Sequence, residues 1–221
     1  MQRPLEEALL TVRTTLLEMA GRVEAMIADA ERAVLTRDAV LATRVIRADA
    51  QVDQLEKQID ELCLVALALR EPKASDFRFL VAAQKIVGDL ERMGDAAVNI
   101  AQAAVQISAE PALQVYVDLP HLAALVHAMV DAGLDAFVRK DAVLARQVRA
   151  RDHEVDKAYQ QMFRALVSVM VEDSGQVRAA LQHLLVAKNL ERIADHATNI
   201  AEDVIYYLEA QDVRHSAPAA V

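Results

Sequence analysis

The 221-residue sequence has few of the residues that interrupt helices and few large aromatic side chains. It contains five Gly, five Pro and no Trp, and aromatic residues make up 4% of the chain. Hydrophobic residues reach 54%, so there is enough apolar surface for a substantial core. Ala, Leu, Val, Arg and Glu are abundant, as is typical of long helices, and we predict an all-α fold.

The sequence also lacks an excess of positive charge and has almost no cysteine. Lys and Arg number 24 against 33 Asp and Glu, which gives a net charge of −9. We therefore expect no nucleic-acid partner, because such a partner requires a basic face. The single cysteine, Cys63, lies in the apolar run LCLVALAL and cannot form an intrachain disulfide. We interpret it as a buried structural thiol in a reducing cytosol.

Signals for membrane insertion or export are missing as well. No apolar stretch approaches the roughly 20 residues that span a bilayer. The N-terminus MQRPLEEALL carries Glu6 and Glu7 where a signal peptide would have its apolar core. We expect a soluble, cytoplasmic protein that associates with a membrane only through partner proteins.

Apolar and small residues recur through 41–69 at alternating steps of four and three, which is the heptad pattern of packed helices. Asp38 provides an N-cap for this helix and Pro72 disfavours its continuation. The residues of this heptad seam are Leu41, Val45, Ala48, Val52, Leu55, Ile59, Leu62, Ala66 and Leu69. The other helices are predicted at 5–35, from the N-cap candidate Ser75 to 108, at 121–139, 141–172 and 176–210, with a linker at 108–120.

The second half of the sequence repeats the first. RDAVLA at 37–42 returns as KDAVLA at 140–145, and LERMGDAAVNIA at 90–101 returns as LERIADHATNIA at 190–201. Self-similarity of this kind indicates a duplicated structural unit. We predict two tandem three-helix antiparallel bundles, one formed by 1–110 and one by 118–210, followed by a disordered tail at 211–221.

Each half carries two pairs of acids separated by four residues, one pair on each of two successive helices. On a helix, residues at this spacing project from one face about 6 Å apart, and like charges there cost a few tenths of a kcal/mol. A single pair is normally a solvated helix face, but four pairs in register between two halves suggest a compensating cation. The pairs are Asp49 and Asp53, Glu91 and Asp95, Asp152 and Asp156, and Glu191 and Asp195.

These acids flank the apolar seam, and in each half four carboxylates are expected to converge on the groove between antiparallel helices. They repel one another there unless a cation or protons bind. An all-oxygen site suits Mg²⁺, Ca²⁺, Mn²⁺ or iron, and the alternative is a purely electrostatic surface patch. Asn99 and Asn199, one turn further on, are either auxiliary ligands or partners in helix-surface hydrogen bonds. His196 is either an auxiliary ligand or an incidental histidine.

At these residues the chain resembles the PhoU family, whose members are accessory regulators of bacterial phosphate uptake. The resemblance covers about 5–210 and rests on the duplicated layout, the acidic pairs and the LER-x-[GA]-D signatures at 90–95 and 190–195 with NIA downstream. Ala194 departs from the usual glycine, which Gly94 keeps, but it retains a small side chain.

The resemblance implies a two-bundle α fold, dimers or higher oligomers, and acidic motifs at the eight positions above that can hold iron, zinc or manganese. It also implies a negative regulator that links the phosphate ABC transporter to a sensor histidine kinase. Two alternatives are a metalloenzyme of the di-iron type and a helical scaffold whose acids aid solubility.

The sequence gives little support to catalysis. Di-iron chemistry favours Glu-x-x-His motifs inside a bundle, and no histidine in this sequence has Glu three residues before it. No nucleophile–base constellation or Gly-rich phosphate loop is visible either. We therefore predict that the protein is not an enzyme.

Overall fold

The structure is a computed structural model that describes residues 3–69, 73–114 and 117–214. This part of the chain contains six α-helices, one short 3-10 helix and no strand, and the predicted all-α fold is confirmed. The helices are α1 (Arg3–Thr36), α2 (Ala39–Leu69), α3 (Ala74–Ala109), α4 (Leu119–Arg139), α5 (Ala142–Glu172) and α6 (Val177–Glu209), with the 3-10 helix (Ser174–Gln176) directly before α6.

Helices α1, α2 and α3 pack together as one three-helix bundle, and α4, α5 and α6 form a second. The two bundles meet mainly through α3 and α6, which pack along each other, while α1 touches α4 only briefly. Buried apolar side chains from all six helices therefore form one continuous core that runs through both bundles. This arrangement places α3 and α6 at the centre of the molecule, with α2 and α5 on the outside.

The turn that precedes α2 is repeated before α5, residue for residue. Arg37 and Lys140 both adopt the left-handed conformation, with φ of 55° and 56°. The next residue is the N-cap in each case: one carboxylate oxygen of Asp38 and of Asp141 accepts hydrogen bonds from the backbone amides two and three residues later, at 2.9–3.0 Å. The duplication predicted from the sequence is thus confirmed at the level of the caps.

The heptad seam of α2 faces the core as predicted. Its described side chains are buried except for those of Ala48 and Leu62, which are half-buried, while the side chain of Leu69 lies outside the described residues. Cys63 is fully buried, and burial raises the pKa of its thiol to about 12. A thiol in this setting is a small apolar side chain and not a nucleophile.

Two predicted helix starts are wrong. Helix α3 begins at Ala74 behind Lys73, with no side-chain cap, so Ser75 is already helical and is not the N-cap. Helix α4 begins at Leu119, because Asp118 accepts a hydrogen bond from the amide of His121 and Pro120 lies in the first turn. Proline is tolerated there since the first helical amides have no partner within the helix, so the linker is shorter than 108–120.

The predicted disordered tail of 211–221 begins too early. Val213 is only 7% exposed and belongs to the common core. Its carbonyl oxygen accepts a 2.9 Å hydrogen bond from the guanidinium of Arg149, so the chain still packs on the second bundle at this point. The rest of the predicted tail, 215–221, lies outside the described residues.

Helix α4 is the one described helix whose length and composition would allow it to cross a bilayer, with a mean hydropathy of 1.3 over its most apolar window. The expectation that no stretch of the chain is long and apolar enough to span a bilayer is therefore wrong for this helix. Half of that window is buried inside the protein, and α4 packs on α5 and α6. Its apolar composition is that of a core helix.

Candidate functional site

The four predicted acids of the first half lie near one another in the groove between α2 and α3. We call Asp49, Asp53, Glu91 and Asp95 the first acidic cluster. Asp49 lies over Gly94 of α3, where an added Cβ would be 3.7 Å from its carboxylate Oδ1. Burial raises the pKa of Asp49, and the charges of Asp53 and Asp95 raise it further. The acids of the two helices are therefore close enough to repel one another.

The pKa of Glu91 on α3 is raised in the same way as that of Asp49 on α2. Burial raises the pKa of its carboxyl, and the charge of Asp95 on the same helix is the next cause. Glu56 and Asp53, both on α2, raise that pKa further, while Arg92 lowers it. The first acidic cluster is thus a patch of like charges contributed by two helices.

Glu56 extends the first acidic cluster along α2 and was not among the predicted residues. Burial raises its pKa first, followed by the charges of Asp60 and Asp53. The signal was available, since Glu56 lies three residues after Asp53 and four before Asp60. Its counterpart in the second half is Tyr159, so Glu56 is not one of the acids that are repeated in both halves.

The second acidic cluster, formed by Asp152, Asp156, Glu191 and Asp195, lies in the corresponding groove between α5 and α6. Asp152 accepts a 3.2 Å hydrogen bond from the hydroxyl of Thr198 on α6. Burial raises the pKa of Asp195 to about 6, and the charges of Glu191 and Asp152 are the next causes. Part of the population of Asp195 is therefore protonated at mildly acidic pH.

Lys188 distinguishes the second acidic cluster from the first. Its ammonium nitrogen lies 2.5 Å from a carboxylate oxygen of Glu191 and 5.5 Å from the ring centroid of Tyr159. The hydrogen bond to Glu191 raises the pKa of Lys188. The residue at the equivalent position of α3 is Gly88, so the first cluster has no cation at this position.

The two clusters have the donor chemistry of a hard-cation site without its coordination geometry. Carboxylate oxygens are the ligands that Mg²⁺, Mn²⁺ and iron prefer. In the described residues, however, no three His, Cys, Asp or Glu side chains are gathered closely enough to hold a metal ion. A cation would require the carboxylates to rotate toward one another. The eight acids fit a hard cation by chemistry, and a bound metal stays a prediction.

The two predicted auxiliary ligands lie at the contact between α3 and α6. The side-chain amide of Asn199 donates a 3.1 Å hydrogen bond to Asp89 of the other bundle. Asn99 lines a groove between α3 and α6 together with Asn189. Although each asparagine follows an acid of a cluster by four residues, the helix carries it toward the neighbouring bundle. Asn199 thus forms a hydrogen bond, which was one of its two predicted roles, and a role of Asn99 and Asn199 as auxiliary metal ligands stays a prediction.

A buried polar bridge joins the two bundles, and no repeated sequence motif predicts it. Asp89 is 5% exposed, and one of its carboxylate oxygens lies 2.9 Å from Nδ1 of His196 and also binds the Asn199 amide. One turn away, Lys85 of α3 forms a 2.8 Å ion pair with Asp203 of α6. His196 thus has a structural partner, and these residues fix how the two bundles dock.

Comparison with known proteins agrees with this architecture. The family model described as PhoU domain matches the chain twice, at residues 16–104 and 119–204. A Pseudomonas aeruginosa protein named phosphate-specific transport system accessory protein PhoU homolog is 43% identical over 205 residues, which are 92% of this chain and 85% of that protein. The Escherichia coli K12 protein named phosphate-specific transport system accessory protein PhoU is 37% identical over 205 residues, which are 93% of this chain and 85% of that protein.

Solved structures resemble the whole fold. The crystal structure of PhoU from Pseudomonas aeruginosa superposes with a TM-score of 0.91 at 42% identity, covering 93% of this chain and 99% of that one. The crystal structure of the phosphate transport system regulatory protein PhoU from Streptococcus pneumoniae gives a TM-score of 0.88 at 26% identity, and the match covers 95% of this chain and 99% of that one. The sequence identity, the two matched domains and the similarity of fold show that the chain belongs to the PhoU family.

Proposed function

We propose that this protein is a negative regulator of phosphate uptake that couples a phosphate-specific ABC transporter to a sensor histidine kinase and so to the phosphate regulon. The observation that carries the proposal is the family match to both halves, at 16–104 and 119–204, together with relatives named as accessory proteins of phosphate-specific transport. A match to one half alone would leave the pairing of the two bundles unexplained.

The protein acts by binding partners and not by catalysis. The acids of both clusters lie at the outer grooves of the bundles, half-buried or exposed, whereas di-iron enzymes direct their carboxylates and histidines into the bundle core. The thiol of Cys63 is buried and held in its protonated form. The geometry therefore favours an adaptor over the metalloenzyme alternative.

We further propose that each acidic cluster binds a metal ion, with iron, zinc, manganese and magnesium as the candidates. Support comes from the shared all-oxygen donor set and from the pKa values of Asp49, Glu91, Asp152 and Asp195. Burial raises these pKa values first and neighbouring carboxylates raise them further, and a cation would relieve that second contribution. Lys188 already compensates part of the charge in the second cluster, so the first cluster is expected to bind a cation more tightly.

The protein is proposed to work in the cytoplasm as a homodimer or higher oligomer and to reach the membrane only through the transporter. This placement fits a helical protein whose apolar helix α4 is half buried among its neighbours. It also fits the net charge of −9, because anionic lipids attract basic segments.

Deletion of the gene tests the regulatory proposal. We expect phosphate-responsive genes to be expressed at high external phosphate in the deletion strain and to be repressed again when the wild-type chain is restored. Unchanged expression in the deletion strain would refute the regulatory role.

The metal proposal is tested separately, by elemental analysis of purified wild-type protein and of Asp49→Asn/Asp95→Asn. Asp29→Asn serves as the matched control, because Asp29 lies on the surface of α1 in a local pair with Arg32. The cluster variant alone is expected to lose the metal of the first cluster and to keep that of the second. Equal metal content in all three proteins would sink the cluster as the binding site.

A further inference from the structure

Two grooves follow the contact between α3 and α6, and the duplication relates one to the other. We call them the first and the second interbundle groove. The first contains the polar bridge of Asp89 and Asp203 and is lined by Lys85, Arg92 and Glu202 among others. The second has a volume of about 660 Å³, within the range of small-molecule sites. Its lining includes Asn99, Gln102, Ala103, Lys188, Asn189 and Arg192.

At the duplicated positions, neutral residues in the second groove replace acids of the first groove. Positions 100 residues apart correspond in α3 and α6, as the repeated LER signatures show. Asp89 of the first groove corresponds to Asn189 of the second, and Glu202 and Asp203 correspond to Gln102 and Ala103. Arg92 and Arg192, by contrast, are the same residue. Among the residues described as lining the second groove there is no acid, while Lys188 and Arg192 are both cationic.

Asn189 holds an unused hydrogen-bond acceptor in the second groove. The residue is 8% exposed, and its amide nitrogen donates a 2.8 Å hydrogen bond to the carbonyl oxygen of Leu185, which fixes the orientation of the amide. The side-chain oxygen Oδ1 is then buried without a donor among the described residues. A buried acceptor left unpaired is costly, so a donor from outside the protein is favoured at this position.

Arg192 supplies the charge that goes with this acceptor. Arg92 of the first groove lies 3.8 Å from the carboxylate of Asp89, but Arg192 is exposed and has neither an ion pair nor a hydrogen bond in the described part of the chain. Lys188 also lines the groove, although its ammonium is held by Glu191. Arg192 is therefore the cation available to a ligand, and a guanidinium binds oxyanions through parallel hydrogen bonds.

We propose that the second interbundle groove binds a small oxyanion that also carries a hydroxyl group, of which inorganic hydrogen phosphate is the smallest example. Arg192 and the amide side chains at the groove donate to the charged oxygens, and the hydroxyl donates to Oδ1 of Asn189. Sulfate has the same shape and a double negative charge but no proton at neutral pH, so it cannot satisfy Asn189. The site thus distinguishes the two ions by a single hydrogen bond.

NMR titration of the full chain with sodium phosphate and with sodium sulfate, at matched ionic strength, tests this inference. The side-chain amide signal of Asn189 is expected to shift on addition of phosphate, with an affinity about tenfold above that for sulfate. Arg192→Gln is expected to lower the phosphate affinity at least tenfold. Arg92→Gln is the matched control and should leave it unchanged, because Arg92 faces the first groove. A third titration with a nucleoside monophosphate shows whether the free ion or an ester is preferred.

The inference is overturned if phosphate and sulfate bind equally, if Arg192→Gln binds phosphate as the wild type does, or if the Asn189 amide does not respond. The last result would mean that water alone satisfies its oxygen. Asn189→Leu should bind phosphate and sulfate equally. If that buried variant fails to fold, Arg192→Gln still tests the site, because it changes an exposed side chain. This site is independent of the proposed regulatory role, because the deletion strain tests that role without reference to the groove.

Discussion

Replacing Asp195 by Asn removes one charge from the second acidic cluster and is expected to stabilise the protein at neutral pH. Asp195 carries the clearest sign of repulsion in the cluster, since its pKa rises from 3.8 to about 6. The causes are burial first and then the charges of Glu191 and Asp152. Asn keeps nearly the same shape and can still accept hydrogen bonds, so the change isolates the charge.

The size of the effect follows from the two pKa values. A rise of the carboxyl pKa from 3.8 to about 6 on folding means that the charged form of Asp195 lowers the stability of the folded state by about 3 kcal/mol. Asp195 is exposed to solvent, and screening reduces this to about 1 kcal/mol. For a protein of this size, that amount raises the melting temperature by about 2–4 °C.

The sign of the pH dependence is fixed by the direction of the shift. When folding raises the pKa of a carboxyl, the folded state is destabilised at pH values above its folded-state pKa. This destabilisation disappears at pH values below the pKa of the unfolded state. The advantage of Asp195→Asn should therefore be complete above about pH 6 and vanish toward pH 4. Wild-type stability should fall across the same window as the pH rises.

Differential scanning calorimetry from pH 4 to pH 8 measures this difference. Asp29→Asn is the control, because Asp29 forms an exposed i,i+3 pair with Arg32 on α1, and pairs of this kind contribute at most about 1 kcal/mol. A lower melting temperature for Asp195→Asn at pH 7.5, or an increase of the same size at pH 4, would show that charge repulsion does not destabilise this groove.

Asp89→Ala is expected to cost about 2–4 kcal/mol in calorimetry, because two donors of α6 lose a buried acceptor, and a loss below 1 kcal/mol would contradict the polar bridge. Gly94→Ala, which copies Ala194, should raise the urea midpoint by the equivalent of about 0.5–1 kcal/mol, because the nearest atom lies 3.5 Å from the added Cβ. A lower midpoint would show that the contact is too tight. The hydrogen bond to Glu31 raises the pKa of His127 above 6.5, so this pair stabilises most in acid. His127→Gln should flatten the decline of melting temperature between about pH 6 and pH 8, and an unchanged slope would exclude the pair as its source.

Features encoded within one helix or one turn were predictable from the sequence. The heptad seam from Leu41 onward fixes the buried face of α2, because burial of apolar side chains dominates helix packing. The caps at Asp38 and Asp141 follow from local hydrogen bonding that needs no other part of the chain. The acid pairs could be placed on the helix faces for the same reason.

Features that depend on how the two bundles dock were not predictable. The sequence around Asp89 shows only an acid on a helix, and it is the approach of α6 that gives it His196 and Asn199 as partners. Asn99 lies one turn beyond Asp95 in the sequence, and the structure shows that it also lines a groove shared with the other bundle. Sequence periodicity describes which face of a helix is buried, but it does not say which neighbour covers that face.

Lys188 connects the two proposed sites of the second half. Its ammonium is bound to Glu191 of the second acidic cluster, yet the residue also lines the second interbundle groove. A cation in the cluster would compete for Glu191 and release Lys188 toward an anion in the groove. Linkage then requires the reverse as well, so that an anion in the groove strengthens cation binding by the same factor. The first half has Gly88 at this position and acids in its groove, so any such coupling belongs to the second half alone.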